Sequence, residues 1–137
     1  NLDEAALLLG RPVTRAAELE GAAQALIELG AHAVLLKGGH LPGDEVQDVL
    51  VIAGQAPLRM SDARIATRNL HGAGCTLSSA IAAQLALGLD LTAAVQAARH
   101  YVRQALEAGA TVRTGQGVGP LDHGFAPRAT VRRTGEP

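Results

Sequence analysis

The single cysteine of this 137-residue chain stands in the hexapeptide HGAGCT, residues 71–76, directly before an alanine-rich helical pattern. Glycines permit unusual backbone dihedrals, so that backbone N–H groups can converge on the oxygens of an anion, and a following helix adds its positive end. A thiol at a helix N-terminus also ionises more readily than free cysteine. The pattern supports two interpretations equally. In the first, Gly72 and Gly74 bind a phosphate beside a reactive thiol of Cys75. In the second, the glycines only allow the helix to begin, and the cysteine is a small buried side chain.

Lys37 is a second candidate, because it leaves the carboxyl end of an apolar run, Ala33 to Leu36. Open α/β sheets place ligands at this end of a strand, where an ammonium can neutralise a transferring phosphoryl group. A solvated lysine before a turn explains the same pattern. Asn1 and Glu4 share one face of a helical turn and could hold a hydrated Mg²⁺, although a glutamate is also common in a first turn.

The glycines of GQGVGPLDHG, residues 115–124, could let a loop lie against a flat ligand or could form a flexible loop. His71 and His123 have no spacing to cysteine or carboxylates that indicates a metal site, so we expect no structural zinc.

The composition limits the classes of function. The length suits one domain with a core, and a net charge of −1 gives no basic surface for a nucleic-acid partner. A lone cysteine forms no internal disulfide, which suits a cytoplasmic protein, and there is no run of about 18 apolar residues to span a membrane. The chain opens on Asn1 without a signal-peptide pattern, so we expect a piece of a longer protein.

Hydrophobic periodicity and cap residues predict the elements. The first two predicted helices are Asp3 to Leu9, closed by Gly10, and a helix capped by Thr14 and ended by Gly30. The other two are Cys75 to Leu87 and a helix capped by Thr92 and ended by Gly109. The last of these has a predicted buried stripe of Val95, Ala98, Val102 and Ala105. The run from Ala33 to Leu36 predicts a strand covered on both faces, and residues 44–65 predict an antiparallel hairpin. This α/β order has too few strands to stand alone, which indicates half of a larger layered domain.

The series NLDEA, VLLKGGH, ARIATRNLHGAGCTLSSAIAA and GVGPLDH resembles the hydroxymethylpyrimidine/phosphomethylpyrimidine kinases of thiamine biosynthesis, in the ribokinase-like superfamily. The resemblance runs from Asn1 to about Phe125, and HGAGCTLSSAIAA is its most specific part. It implies a three-layer α/β/α fold, here only the C-terminal half with a partial mixed sheet. Residues 1–127 would form this half-domain and residues 128–137 a tail.

The activity implied is ATP-dependent phosphorylation of 4-amino-5-hydroxymethyl-2-methylpyrimidine and then of its monophosphate. By position, Gly72, Ala73 and Gly74 resemble the anion hole for the transferring phosphoryl group. Cys75 takes the place of the catalytic base, and Lys37 that of the phosphate-contacting lysine.

The same resemblance implies ATP and Mg²⁺ as cofactors. Asn1 and Glu4 match an N-x-x-E motif associated with Mg²⁺ and phosphates, and Thr67, Gly117 and Gly119 would lie near the nucleotide. Members often form homodimers, so a homodimer is expected here too.

Two residues depart from the family pattern: Leu70 stands where threonine is common, and Val118 stands where histidine is expected. The N-terminal half, which supplies the pyrimidine pocket, is absent, so the chain alone should be a poor enzyme. The alternatives are a pyridoxine/pyridoxal kinase of the same superfamily, whose aldehyde substrate Cys75 could trap as a hemithioacetal, and a non-catalytic nucleotide-binding fragment.

Overall fold

The elements follow the predicted α/β order in a computed structural model that describes residues 1–127. They are α1 Leu2–Leu9, a 3₁₀ turn Ala16–Glu18, α2 Leu19–Glu28, β1 Ala33–Lys37, β2 Glu45–Ile52, β3 Leu58–Ala63, α3 Ala73–Ala86 and α4 Leu91–Gly109. The described residues form two units, the first Asn1–Arg64 and the second beginning at Ile65. The predicted tail at 128–137 lies outside the described residues.

The first unit opens with two short helices. Asn1 caps α1, and Gly10 ends it in the left-handed region at φ 66°, as predicted. The prediction that Thr14 caps α2 is wrong, because the 3₁₀ turn comes first. Thr14 instead donates its backbone N–H to Glu18 Oε2 at 2.9 Å, so the glutamate carboxylate organises this turn.

The sheet of the first unit has the order β1-β2-β3 and pairs antiparallel throughout. The hairpin prediction is therefore confirmed, whereas a mixed sheet is not observed among the described strands. Residues 38–44 and 53–57 join the strands, and a parallel crossover would need a dozen residues or more. The prediction that β1 is covered on both faces is wrong, because β1 has one neighbour in this sheet and is mostly half-buried. The fully buried strand residues are instead Asp48 to Val51 of the central strand β2.

The apolar core of the first unit lies between its helices and one face of the sheet. Its most buried members are Leu19, Ala22 and Ala23 of α2 with Val49 and Val51 of β2. These aliphatic and alanine side chains let α2 lie close to the sheet.

The second unit is an antiparallel pair of long helices with irregular segments on either side. In α4 the predicted stripe of Val95, Ala98, Val102 and Ala105 is buried. Asp90 caps this helix by accepting the Ala93 N–H at 2.9 Å, so the prediction of Thr92 is wrong by two residues. None of the helices in residues 1–127 combines the length and apolar character that crossing a membrane requires.

Candidate active site

The entrance to α3 is a tight left-handed turn at Gly72, whose φ is 87°. Only glycine adopts this region without strain, which explains the first glycine of HGAGCT. The turn is closed by the Thr76 N–H, which donates to the Gly72 carbonyl at 2.8 Å. The Ala73 N–H donates to the Leu70 carbonyl at 3.1 Å, a bond that competes with anion binding by this amide.

The amides of Gly74 and Cys75 have no hydrogen-bond acceptor within residues 1–127. Both belong to the first turn of α3, where the helix leaves its N–H groups without partners and carries a partial positive charge. Gly74 and Cys75 are exposed, so the two amides and the thiol are open to a ligand. This end of α3 can accept an anion next to a nucleophilic sulfur.

A cavity of about 530 Å³ lies beside this turn. Its described lining includes Cys75, Thr76 and Gln84 of α3, Tyr101 of α4, and His123. The walls between the polar groups are alanine side chains of α3. A mostly apolar cavity with a thiol, a hydroxyl and an imidazole has the character of a small-molecule site.

Thr76 connects the helix entrance to the segment that follows Gly119. Its Oγ1 donates to the Gly72 carbonyl at 2.8 Å and lies 2.9 Å from His123 Nε2. The sequence does not predict this contact, because Thr76 and His123 are 47 positions apart and only the fold brings them together.

Asn69 is the buried polar centre of the second unit. Its Nδ2 donates to the carbonyls of Gly109 at 2.6 Å and Val112 at 2.7 Å. A Cβ built at Gly119 would lie 2.1 Å from Asn69 Oδ1, so this glycine is required by close packing. The sequence analysis did not predict a role for Asn69. The one feature that could have indicated it is an amide side chain two residues before HGAGCT.

A second cavity, of about 690 Å³, contains two of the predicted nucleotide-binding residues, Thr67 and Gly117. Arg68 and Arg113 also line it, and no carboxylate is among its described lining residues. This cavity therefore suits an anionic ligand. Gly119 lies outside its lining, next to Asn69, and its carbonyl accepts the His71 N–H at 3.1 Å.

In the first unit, Asn1 and Glu4 form a capping box. Asn1 Oδ1 accepts the Glu4 N–H at 2.9 Å, and the Asn1 amino group donates to Glu4 Oε2 at 2.6 Å. The Glu4 side chain is 69 % exposed, so one ionised carboxylate faces solvent.

This donor set fits a hydrated Mg²⁺, which typically keeps several waters and binds through one or two carboxylates and substrate phosphates. It does not fit a cage made by the protein alone. Within residues 1–127, no group of three or more His, Cys, Asp and Glu side chains is placed to hold a metal ion.

Lys37 ends β1 opposite Asp48 of β2, and the next residue fixes the chain direction. The Gly38 N–H donates to the buried Asp48 Oδ1 at 2.9 Å. A Cβ at Gly38 would lie 2.2 Å from the Gln47 carbonyl oxygen, so only glycine fits. The structure thus groups Lys37 with Asn1 and Glu4 in the first unit, and the remaining predicted site residues belong to the second.

A family model described as phosphomethylpyrimidine kinase matches residues 1–122. The chain is 50 % identical over 124 residues to a hydroxymethylpyrimidine/phosphomethylpyrimidine kinase of Rhizobium meliloti, covering 90 % of this chain and 46 % of the relative. It therefore spans about half the length of the curated relatives it matches.

Solved structures give the same fold. A Staphylococcus aureus pyridoxal kinase in complex with ADP is 33 % identical with a TM-score of 0.85, over 93 % of this chain and 47 % of that one. A Clostridium difficile phosphomethylpyrimidine kinase is 32 % identical with a TM-score of 0.61, over 77 % and 41 %. The chain thus has a partial ribokinase-like α/β fold and belongs to the phosphomethylpyrimidine kinase family.

Proposed function

We propose that this chain is the phosphoryl-transfer half of a kinase that uses ATP to phosphorylate 4-amino-5-hydroxymethyl-2-methylpyrimidine and then its monophosphate. The observation that carries the proposal is the entrance to α3, where two amides that have no acceptor among residues 1–127 adjoin the exposed Cys75. Membership of the phosphomethylpyrimidine kinase family supplies the substrate class.

In the proposed reaction, the hydroxymethyl oxygen of the pyrimidine attacks the γ-phosphorus of ATP, and the bond from this phosphorus to the ADP oxygen breaks. Cys75 as thiolate accepts the proton of the attacking hydroxyl. Gly72, Ala73 and Gly74 form the anion hole, with the Gly74 and Cys75 amides its main donors. Catalysis of this kind depends mostly on positioning and charge stabilisation, and one such donor contributes about 3 kcal/mol.

The nucleotide is proposed to contact Thr67, Gly117 and Gly119, with Lys37 directed to its phosphates. The cavity that contains Thr67 and Gly117 also has Arg68 and Arg113 in its lining, which favours a polyanion. Asn1 and Glu4 would hold Mg²⁺ through water, and the ion would neutralise phosphate charge.

The proposal is tested with the full-length protein, by ATP-dependent phosphorylation of the pyrimidine. Gly74→Val places a branched side chain beside the open amides and should lower kcat by about a hundredfold or more, while the unfolding midpoint changes little. Ala82→Val, at an exposed position of the same helix, is the control. A Gly74→Val protein with unchanged rates would remove the anion hole from the mechanism.

Cys75 gives a second test on the 137-residue chain. Because this thiol is exposed at a helix start, iodoacetamide should alkylate it faster than free cysteine near pH 7. Mg-ATP should slow the reaction by occupying the adjacent anion site. Alkylation at the free-cysteine rate, insensitive to Mg-ATP, contradicts the role of Cys75.

Pyridoxal phosphorylation is a second candidate function, favoured by the likeness to the S. aureus pyridoxal kinase at a TM-score of 0.85. Steady-state kinetics of the full-length protein on both substrates separate the two. A higher kcat/KM for pyridoxal or pyridoxine than for the pyrimidine would replace the thiamine assignment. Binding of the pyrimidine without turnover would instead favour a non-catalytic module.

A homodimer and a cytoplasmic location remain predictions that accompany this function. Sedimentation of the full-length protein tests the first.

A further inference from the structure

The loop residue His123 has an unexpected partner in the first turn of α3. Its Nε2 lies 2.9 Å from Thr76 Oγ1, and the same oxygen lies 2.8 Å from the Gly72 carbonyl oxygen. A threonine hydroxyl has one proton to donate, and here it serves the carbonyl one turn back in the helix. Oγ1 is then an acceptor toward the imidazole, so Nε2 must carry the hydrogen that joins the two side chains.

The backbone around His123 is tied down on both sides. The Asp122 N–H donates to the Ala105 carbonyl of α4 at 3.1 Å, and Asp122 Oδ1 accepts the Gly124 N–H at 2.8 Å. Leu121 is buried, and the rings of Phe125 and Tyr101 lie 5.4 Å apart. The imidazole is therefore presented from a fixed loop and not from a free end.

We propose that His123 is a positioning residue that acts through Thr76 to hold the left-handed turn at Gly72. We call these two hydrogen bonds the clamp: His123 Nε2–H donates to Thr76 Oγ1, and Thr76 Oγ1–H donates to the Gly72 carbonyl. Gly72 has no side chain to cap α3, so this turn depends on contacts made by other residues. Holding it keeps the Gly74 and Cys75 amides directed together at one ligand. The consequence for phosphate transfer rests on the proposed function, whereas the clamp itself does not.

The clamp is tested by amide hydrogen exchange on the ¹⁵N-labelled chain, read at Thr76, whose N–H donates to the Gly72 carbonyl. His123→Leu should speed exchange there by about tenfold, the loss expected for one hydrogen bond. His123→Gln, whose amide can donate from nearly the same position as Nε2, should restore the rate to within about twofold. His100→Leu, the same change at an exposed position of α4, is the control.

A spectroscopic readout separates positioning from simple packing. The ¹⁵N spectrum of neutral His123 should show the hydrogen on Nε2 and none on Nδ1. In the full-length kinase, His123→Leu should lower kcat for the pyrimidine by about tenfold with a smaller change in its KM, and His123→Gln should recover most of it.

The results distinguish the two claims. A hydrogen on Nδ1, or equal exchange at Thr76 in His123→Leu and His123→Gln, overturns the clamp even when kinase activity is normal. If the tautomer and the exchange rates are as expected but the full-length protein has no kinase activity, the clamp stands and the proposed function fails.

Discussion

The two units of the chain differ in what holds them together. In the first, α1 and α2 lie on a three-stranded sheet, and leucine, valine and alanine side chains fill the space between them. In the second, α3 has fourteen residues, of which only Leu77 is buried. The second unit buries an apolar stripe of α4, and polar contacts at Asn69 and at Thr76 join its distant segments. Its open amides and thiol belong to the helix with the least burial. The candidate site thus lies on the least buried helix, whose entrance is joined to other segments by hydrogen bonds.

The largest effect is expected in the first unit, at the glycine after Lys37. Gly38→Ala would place Cβ against the Gln47 carbonyl oxygen, a backbone atom that cannot move alone, and should lower the free energy of unfolding by about 3 kcal/mol. Gly39→Ala is the matched control, because no atom lies within 4 Å of a Cβ built there. Urea denaturation followed by circular dichroism gives both values. Equal midpoints for the two variants would show that the strand end is not tightly packed.

Asn69→Ala should be the most damaging polar change in the second unit. It leaves the carbonyls of Gly109 and Val112 without their donor, which should cost about 2 kcal/mol. Gln116→Ala removes an exposed amide from a nearby loop and should change stability by less than about 0.5 kcal/mol. If Asn69→Ala unfolds at the wild-type urea concentration, the polar account of this unit is wrong.

A substitution of Arg64 tests whether polar contacts also stabilise the first unit, because this side chain bonds to the loop after β1. Its guanidinium donates to the carbonyls of Gly39, Leu41 and Gly43, at 2.9, 2.5 and 2.7 Å. Lysine cannot reproduce this planar fork, so Arg64→Lys should cost about 1 kcal/mol and speed amide exchange in residues 39–45. Arg11→Lys, at an exposed position after α1, should leave that exchange unchanged.

The smallest effect concerns acid stability of the first unit. The Thr14 backbone N–H and the Arg15 side chain lower the pKa of Glu18 to about 2. Because the folded pKa is below the ordinary value of 4.5, the contribution is complete above about pH 4.5 and is lost as the pH falls toward 2. The Tm of Glu18→Gln should therefore decrease less than the wild-type Tm as the pH falls from about 4.5 to about 2. Glu28→Gln, exposed at the end of α2, should follow the wild-type curve.

The helices were predictable from sequence because their apolar stripes repeat at the helical period. The stripe from Val95 to Ala105 and the stop at Gly10 illustrate this. The caps of α2 and α4 were predicted wrongly because another side chain accepts the backbone N–H groups at each helix start. Near α2 this acceptor is the Glu18 carboxylate and not Thr14, and at α4 it is Asp90 and not Thr92. Local patterns do not decide between neighbouring side chains that can both accept an N–H.

The candidate site was predictable only where its residues are close in sequence. HGAGCT indicated a helix entrance at which glycine permits an unusual backbone conformation, and the structure places the left-handed residue at Gly72 and the helix start at Ala73. It did not indicate that the Ala73 amide is bonded to Leu70, that Asn69 bonds to Gly109 and Val112, or that His123 lies beside Thr76. The contacts of Asn69 and His123 join residues 40 or more positions apart, and no periodicity reports them. The roles of Lys37, Thr67, Gly117, Gly119, Asn1 and Glu4 stay predictions.

The pairing of Tyr101 with Phe125 has a practical consequence. These rings are the only tyrosine and phenylalanine in the sequence, which has no tryptophan. Since Tyr101 also lines the cavity beside Cys75, ultraviolet emission from the unlabelled 137-residue chain originates next to that cavity. Titrating a ligand into this chain while following the tyrosine emission would monitor the surroundings of the cavity without an attached dye.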